Sequence, residues 1–266
     1  MKILLMFLVL ISCTTVQAEP TNAKAAAAQE AAAALQVNEE YNALIKTLSP
    51  AEQDWEVVLQ ENLGSFYLPI HKRQKVAGHS NAWDYINDAP DLPRVLLIGD
   101  SVSRGYTQSV RKALAGKANV HRAPANCGPT SLGLKKIDVW LGNGDWDVIH
   151  FNFGIHDRNT SVDDYSKRLE QLVNRLKNTK AKLIWASTTP IPDDKTKNQK
   201  AISIVERNEA AARIMEQNAV ATDDLFSAVT PHLKQMQNPN DVHFNAEGYE
   251  FLGQQVAESI LKAINP

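Results

Sequence analysis

The chain has 266 residues, 44% of them hydrophobic and 22% charged, which is the composition of an ordinary globular protein. That length suffices for one α/β domain plus an extension, with a substantial buried core. A formal net charge of −2, with no basic excess, argues against a nucleic-acid partner.

Met1-Lys2 followed by the apolar run Ile3 to Ile11 is a basic n-region and a short h-region. The run is too short to span a bilayer and predicts a signal peptide over residues 1–18. Two processing sites compete. Val16-Gln17-Ala18 presents compact residues to a general signal peptidase and would release a chain beginning at Glu19. Leu10-Ile11-Ser12-Cys13 resembles a lipoprotein box, which would acylate Cys13 and tether the protein to a membrane. The small-residue rule favours cleavage after Ala18. Either route exports the protein, as a periplasmic or secreted species or as an envelope lipoprotein. After cleavage at Ala18 only Cys127 remains, so no intrachain disulfide forms. Beside its Gly-Pro turn, Cys127 reads as a small buried hydrophobe.

Residues 19–48 are Ala-rich, with Ala25 to Ala28 and Ala31 to Ala34 broken by Gln29 and Glu30. Alanine favours helix but offers little apolar side chain, so the segment predicts a partly mobile helical spacer. Ser49-Pro50-Ala51-Glu52 is a helix start, with a Ser cap, Pro at the first position and an acid in the first turn. Residues 49–93 carry Trp55, Phe66, Tyr67, Trp83 and Tyr85 with little periodicity, and predict an extension lying against the core domain. Such aromatics can line a substrate cleft; ordinary packing is the simpler reading of each. The basic run His71-Lys72-Arg73-Gln74-Lys75 reads as a solvated surface.

From Arg94 onward strand and helix patterns alternate. Strand candidates fall at 94–98, 118–122, 147–153, 181–187 and 219–223. Helical patterns fall at 105–115, 133–141, 162–177, 199–217 and 246–263. Strands separated by helices imply parallel pairing with right-handed crossovers, hence a three-layer α/β/α sandwich over residues 94–266. In such sheets ligands bind at the carboxyl ends of the strands. Functional residues should therefore follow strands.

The first strand, Arg94-Val95-Leu96-Leu97-Ile98, stops at Gly99-Asp100-Ser101. Arg104-Gly105-Tyr106 then opens an amphipathic stretch ending near Leu114. A sharp turn from a buried strand into a helix N-terminus would expose the Ser101 hydroxyl and set it among backbone N–H groups, as a nucleophile requires. Taken alone, the tripeptide is more simply a strand end with a helix cap. Neither GxGxxG, a P-loop, HExxH nor CxxC occurs, and Gly142-Asn143-Gly144 is a turn. His150 sits within a strand and reads as a core residue. His71, His79, His121 and His232 lack partners at ligand spacing, so neither metal nor cofactor is expected.

Three further blocks follow strands or a late loop. They are Asn126-Cys127-Gly128-Pro129-Thr130-Ser131, Gly154-Ile155-His156-Asp157 and Asn240-Asp241-Val242-His243-Phe244. With the Ser101 turn, their order resembles the SGNH (GDSL-like) hydrolase superfamily of esterases and acylhydrolases over roughly residues 94–263. The resemblance implies a flavodoxin-like, five-stranded parallel sheet. It makes Ser101 the nucleophile and, through its backbone N–H, an oxyanion donor. Gly128 would supply a second backbone donor and His243 the general base. Two positions depart from the family pattern. His156 stands where the third block usually has Asn; a neutral imidazole N–H can donate there, with Asn152 as a fallback. The last block usually reads Asp-x-x-His, whereas here Asn240 precedes His243 by three residues and Asp241 by two. Charge favours Asp241 as the orienter of the imidazole and register favours Asn240.

These features predict an exported serine esterase acting through an acyl-enzyme. Its partner would be a small-molecule or glycan ester, foremost an acetyl group on carbohydrate. Lysophospholipids or simple short-chain esters are the second expectation, since no apolar run suited to a lipid-binding lid follows residue 18. A third is a catalytically weak relative that binds acylated glycan, against which the retained Ser101, Gly128 and His243 argue. Ile191 to Lys197, a polar loop after the fourth strand, would form a mobile rim of the site.

Overall fold

A computed structural model of the protein describes residues 20–142, 144–196 and 198–265. The expected signal peptide, with Ala18 and Cys13, lies outside the described residues. No helix among the described residues is long and apolar enough to cross a membrane.

Three helices precede the sheet: α1 (Pro20–Ile45), α2 (Pro50–Asn62) and α3 (Gly64–Val76). Then come β1 (Arg94–Ile98), α4 (Ser101–Ala113), β2 (Asn119–Arg122), α5 (Thr130–Leu141) and β3 (Val148–Phe151). They are followed by α6 (Val162–Lys177), β4 (Lys182–Ala186), α7 (Ile202–Gln217) and β5 (Ala221–Asp223). Short α8 (Leu225–Val229) and α9 (Leu233–Met236) lead to α10 (Ala246–Ile264). The five strands form one parallel sheet in the order β2-β1-β3-β4-β5. This is the flavodoxin-like order, which reverses direction between β1 and β3 and opens a crevice beyond their carboxyl ends.

Burial on both faces explains the unbroken apolar strands. Leu96, Ile98, Ile149, Phe151 and Trp185 pack against α5, α6 and α7. Val95, Leu97, Val148 and Ile184 pack against α4 and α10. The last two helices approach closely. A Cβ on Gly105 of α4 would fall 2.0 Å from the Tyr249 ring, and one on Gly253 of α10 would fall 2.4 Å from the Ser109 Cβ.

Boundaries moved where polar contacts outweigh the apolar pattern. Helix α4 begins at Ser101, not near 105, because the Asp100 carboxylate caps it, accepting from the Val102 N–H at 2.9 Å. Helix α7 begins at Ile202, not 199, because Gln199 pairs with Asp194 in an antiparallel bridge.

The extension holds together by a polar core. Glu56 of α2, fully buried, accepts from Tyr41 Oη of α1 at 2.7 Å. It also bonds His71 Nε2 at 2.8 Å and Lys75 Nζ at 2.9 Å, both from α3. Burial alone would raise the Glu56 pKa, but these hydrogen bonds win and bring it down to about 2. The basic run is therefore only partly solvated. His71 and Lys75, one helical turn apart, face inward onto Glu56. In α1 the Ala-rich stretch is exposed, as its weak apolar face requires, while Tyr41 is fully buried. Arg111 of α4 ties the extension to the sheet domain, donating to Asn81 O, Ala82 O and Val120 O.

Candidate active site

The turn after β1 is braced from beneath. Arg122, the last residue of β2, is 1% exposed. Its guanidinium donates to the carbonyls of Gly99 at 3.0 Å and Asp100 at 2.9 Å, and to Ser103 Oγ at 2.6 Å. Ser101, the first residue of α4, thus sits on a turn pinned by a buried cation and capped by Asp100. Its backbone N–H belongs to the first helical turn, where such groups have no intrahelical partner. The side chain remains 8% exposed.

His243 arrives from the loop before α10. An antiparallel bridge between Gln237 and Phe244 closes this loop, and the Asn245 side chain caps α10 by accepting from the Gly248 N–H. His243 Nε2 lies 2.8 Å from Ser101 Oγ, across 142 positions of sequence. On its other side, His243 Nδ1 lies 2.8 Å from Asp241 Oδ1. The same oxygen accepts from the backbone N–H groups of Val242 at 2.6 Å and His243 at 3.3 Å. The local turn curls the carboxylate back onto the ring of the residue two positions later. Slight burial opposes ionisation of Asp241, but the bonds from His243 ring and backbone hold its pKa below the usual carboxylate value. Asn240 is not brought to His243. It occupies the left-handed region at φ 55° and shapes the turn instead.

The remaining predicted residues distribute unevenly. Gly128 also has a left-handed φ of 64° and precedes the start of α5. Neighbouring Cys127 donates its N–H to Gly99 O at 3.2 Å, which ties this block to the Ser101 turn. Asn152 does not stand open to the site. Its amide donates to Ala186 O at 2.8 Å and Thr188 Oγ1 at 3.1 Å, joining the ends of β3 and β4. His156 is exposed in the short 3₁₀ turn Ile155–Asp157 and makes no hydrogen bond to Ser101 or His243. The Cys127 thiol is fully buried and pushed up to about 12, burial outweighing the Arg122 charge, so it stays protonated. His150 bonds Asp223 inside the core at 2.9 Å. The 191–197 loop folds back on itself: Gln199 Nε2 donates to Pro192 O, and the Ala201 N–H to Asp193. Lys197 lies outside the described residues. Among those residues, no three His, Cys, Asp or Glu side chains converge as a metal site would need.

Three contributors escaped the sequence. Arg122 looked like an ordinary strand residue. Asp157, fully buried, accepts from Thr130 N–H at 2.7 Å and Thr130 Oγ1 at 2.8 Å, so the third block holds the second. Tyr67 of α3 brings the extension up to the first turn of α4, where Arg104 lies. Its ring packs edge-on against Trp83, with centroids 5.4 Å apart, and lies 5.5 Å from the Arg104 guanidinium.

A hydroxyl bonded to an imidazole, itself bonded to a carboxylate, is the arrangement that lets a serine lose its proton as it attacks a carbonyl. Residues 97–251, more than half of the chain, match the model of the GDSL-like Lipase/Acylhydrolase family. No curated protein matches the chain. Among solved structures, a lipase/acylhydrolase from Enterococcus faecalis superposes with a TM-score of 0.57 at 21% identity, covering 64% of this chain and 95% of that one. The acetyl xylan esterase AlAXEase gives 0.55 at 14% identity, covering 63% and 99%. A catalytic mutant of Axe2, an acetylxylan esterase from Geobacillus stearothermophilus, gives 0.53 at 15%, covering 65% and 94%. At these identities the likeness is one of fold.

Proposed function

The chain belongs to the GDSL-like lipase/acylhydrolase family, a group of ester-hydrolysing enzymes, and on that premise we propose that it is a serine esterase removing acetyl groups from carbohydrate. The observation that carries the serine mechanism is the 2.8 Å contact between Ser101 Oγ and His243 Nε2, with Asp241 bonded behind the ring.

Ser101 Oγ attacks the ester carbonyl carbon while His243 Nε2 takes its proton. The carbonyl becomes an oxyanion facing the backbone N–H groups of Ser101 and Gly128, each such donor being worth about 10²–10³ in rate. The C–O bond to the alcohol then breaks, and His243 returns the proton to the departing oxygen. Water, deprotonated by His243, repeats the sequence on the acyl-enzyme and frees the acid. Asp241 holds the imidazole with Nε2 directed at Ser101.

For the substrate, the acetyl xylan esterases among the fold neighbours and the absence of an apolar lid run both support a carbohydrate acetate. The N-terminal Met1 to Ala18 pattern supports export to the periplasm or medium. The test is labelling by a fluorophosphonate probe, which forms a covalent bond with an activated serine. The unmodified protein should label, and Ser101→Ala and His243→Ala should not. Acetylated xylo-oligosaccharide should then release acetate faster than lysophospholipid releases fatty acid. A folded protein that does not label refutes the mechanism, and preference for lysophospholipid refutes the substrate class.

A further inference from the structure

Gly128 is buried, and its backbone N–H donates to no group among the described residues. Buried N–H groups are rarely left unpaired, and one tied to the Ser101 turn is free to meet a developing oxyanion. What aims it is the hold on its neighbours. On one side the Cys127 N–H donates to Gly99 O at 3.2 Å, a carbonyl that Arg122 also grips at 3.0 Å. On the other side Thr130, fully buried, gives its N–H and its hydroxyl to the two carboxylate oxygens of Asp157, at 2.7 and 2.8 Å. Only Gly128, left-handed at φ 64°, and Pro129, whose ring restricts φ, lie between the two ties.

Asp157 is held in turn by a residue outside all four blocks. Arg207 of α7 is 4% exposed. Its Nε donates to Asp157 O at 2.7 Å, its Nη2 to Thr160 O, and its Nη1 to Ser203 O in its own helix at 2.8 Å. Thr160 N–H also donates to Asp157 O, at 2.8 Å, so the guanidinium grips both ends of one closed turn. A planar fork fixes two carbonyls at once, which a single ammonium on a flexible stem does less well. We propose that Arg207 is a positioning residue of the ester-hydrolysing site: through Asp157 and Thr130 it aims the Gly128 N–H at the oxyanion that forms when Ser101 attacks. The assignment rests on the serine-esterase reading above. Arg207 makes no hydrogen bond to Ser101 or His243, and no bond or proton on it changes during the reaction. Arg122 and Arg207 then anchor the two ends of one segment, with the oxyanion donor between them.

The test uses Arg207→Lys, Arg207→Met, Asp157→Asn, Asp157→Ala and the double variant Arg207→Met/Asp157→Ala in the full chain, with p-nitrophenyl acetate well below the melting temperature. Arg207→Met and Asp157→Ala should each lower kcat about 10²-fold, and Arg207→Lys about tenfold, with KM within about threefold. Asp157→Asn should keep kcat within about fivefold, because its amide can accept from the Thr130 N–H and donate to the Thr130 hydroxyl. Labelling by the fluorophosphonate should slow in parallel with kcat, since that reaction also places charge on an oxygen beside Ser101. The double variant should lose about 10²-fold, not about 10⁴-fold, because removing either residue severs the same path. Losses that multiply overturn the assignment, for Arg207 would then act by a separate route. So does a folded Arg207→Lys variant that keeps its kcat, or a change confined to KM. Should either truncation fail to fold, Arg207→Lys decides alone: its labelling must slow about tenfold at unchanged KM, or the assignment falls. An inert unmodified protein overturns the esterase reading and this assignment with it.

Discussion

Replacing Asp241 by Asn should cost this site far less than replacing it by Ala. In a buried triad, an amide in place of the carboxylate presents the wrong group to the histidine and lowers kcat about 10⁴-fold. Here one oxygen, Asp241 Oδ1, accepts from the N–H groups of Val242 and His243 and also meets His243 Nδ1. An Asn at 241 can satisfy all three with its own amide oxygen, so the imidazole tautomer survives. What is lost is the negative charge that stabilises imidazolium in the transition state. The two side chains are 46% and 36% exposed, so water screens the pair and its worth is about 1 kcal/mol, a factor of about 5. Asp241→Ala removes the orienting acceptor altogether and should lower kcat about 10²-fold or more. Asn240→Ala should change kcat less than about twofold, with a small loss of stability from its left-handed backbone. Steady-state hydrolysis of p-nitrophenyl acetate by the three variants measures this ranking. An Asp241→Asn variant as impaired as Asp241→Ala, or an Asn240→Ala variant worse than either, would refute the reasoning.

Arg122→Met should leave the melting temperature within about 5 °C, because removing a desolvated cation offsets the loss of its hydrogen bonds, yet lower kcat/KM at least tenfold as the Ser101 turn loosens. Unchanged turnover in a folded variant would show that the turn holds itself. Glu56 is at about 2 in the folded chain against an ordinary value of 4.5, so it contributes on the order of 3 kcal/mol above pH 4.5. That stability is lost as pH falls from 4.5 towards 2. Acid unfolding followed by circular dichroism should therefore show a midpoint moved to higher pH, with a shallower transition, in Glu56→Gln; coincident curves would remove Glu56 from the account. His156→Ala should retain kcat within about threefold, and a loss near 10²-fold would make that imidazole an oxyanion donor after all.

How legible each part was depended on the range of the interaction behind it. Strand β1 and helix α6 stand at the boundaries their apolar pattern predicts, because both bury against the main core and periodicity records that burial. Helix α3 left no such trace. Its inward face carries His71 and Lys75 for Glu56, and Pro69 lies inside it, so neither hydrophobic spacing nor propensity marked it. The Ser101 turn was readable because a strand end, a cap and a helix start are consecutive in sequence. The choice between Asp241 and Asn240 was not, since it depends on which residue takes the left-handed turn position. Arg122 was invisible for a third reason: its importance lies in what it touches, Gly99 and Asp100, both distant in sequence.

Ser101 heads α4, and His243 stands just before α10, the helix that lies against α4 with Gly105 under Tyr249 and Gly253 over Ser109. The gap between Ser101 Oγ and His243 Nε2 is therefore metered at a distance, by how tightly two rods seat against each other. A single methyl at position 253 would act as a shim. It would wedge the helices apart and lengthen the proton's path at their ends while touching neither reacting group. On the proposed mechanism a substitution along that seam would tune the Ser101–His243 pair without touching it, and the two glycines are its adjustment screws.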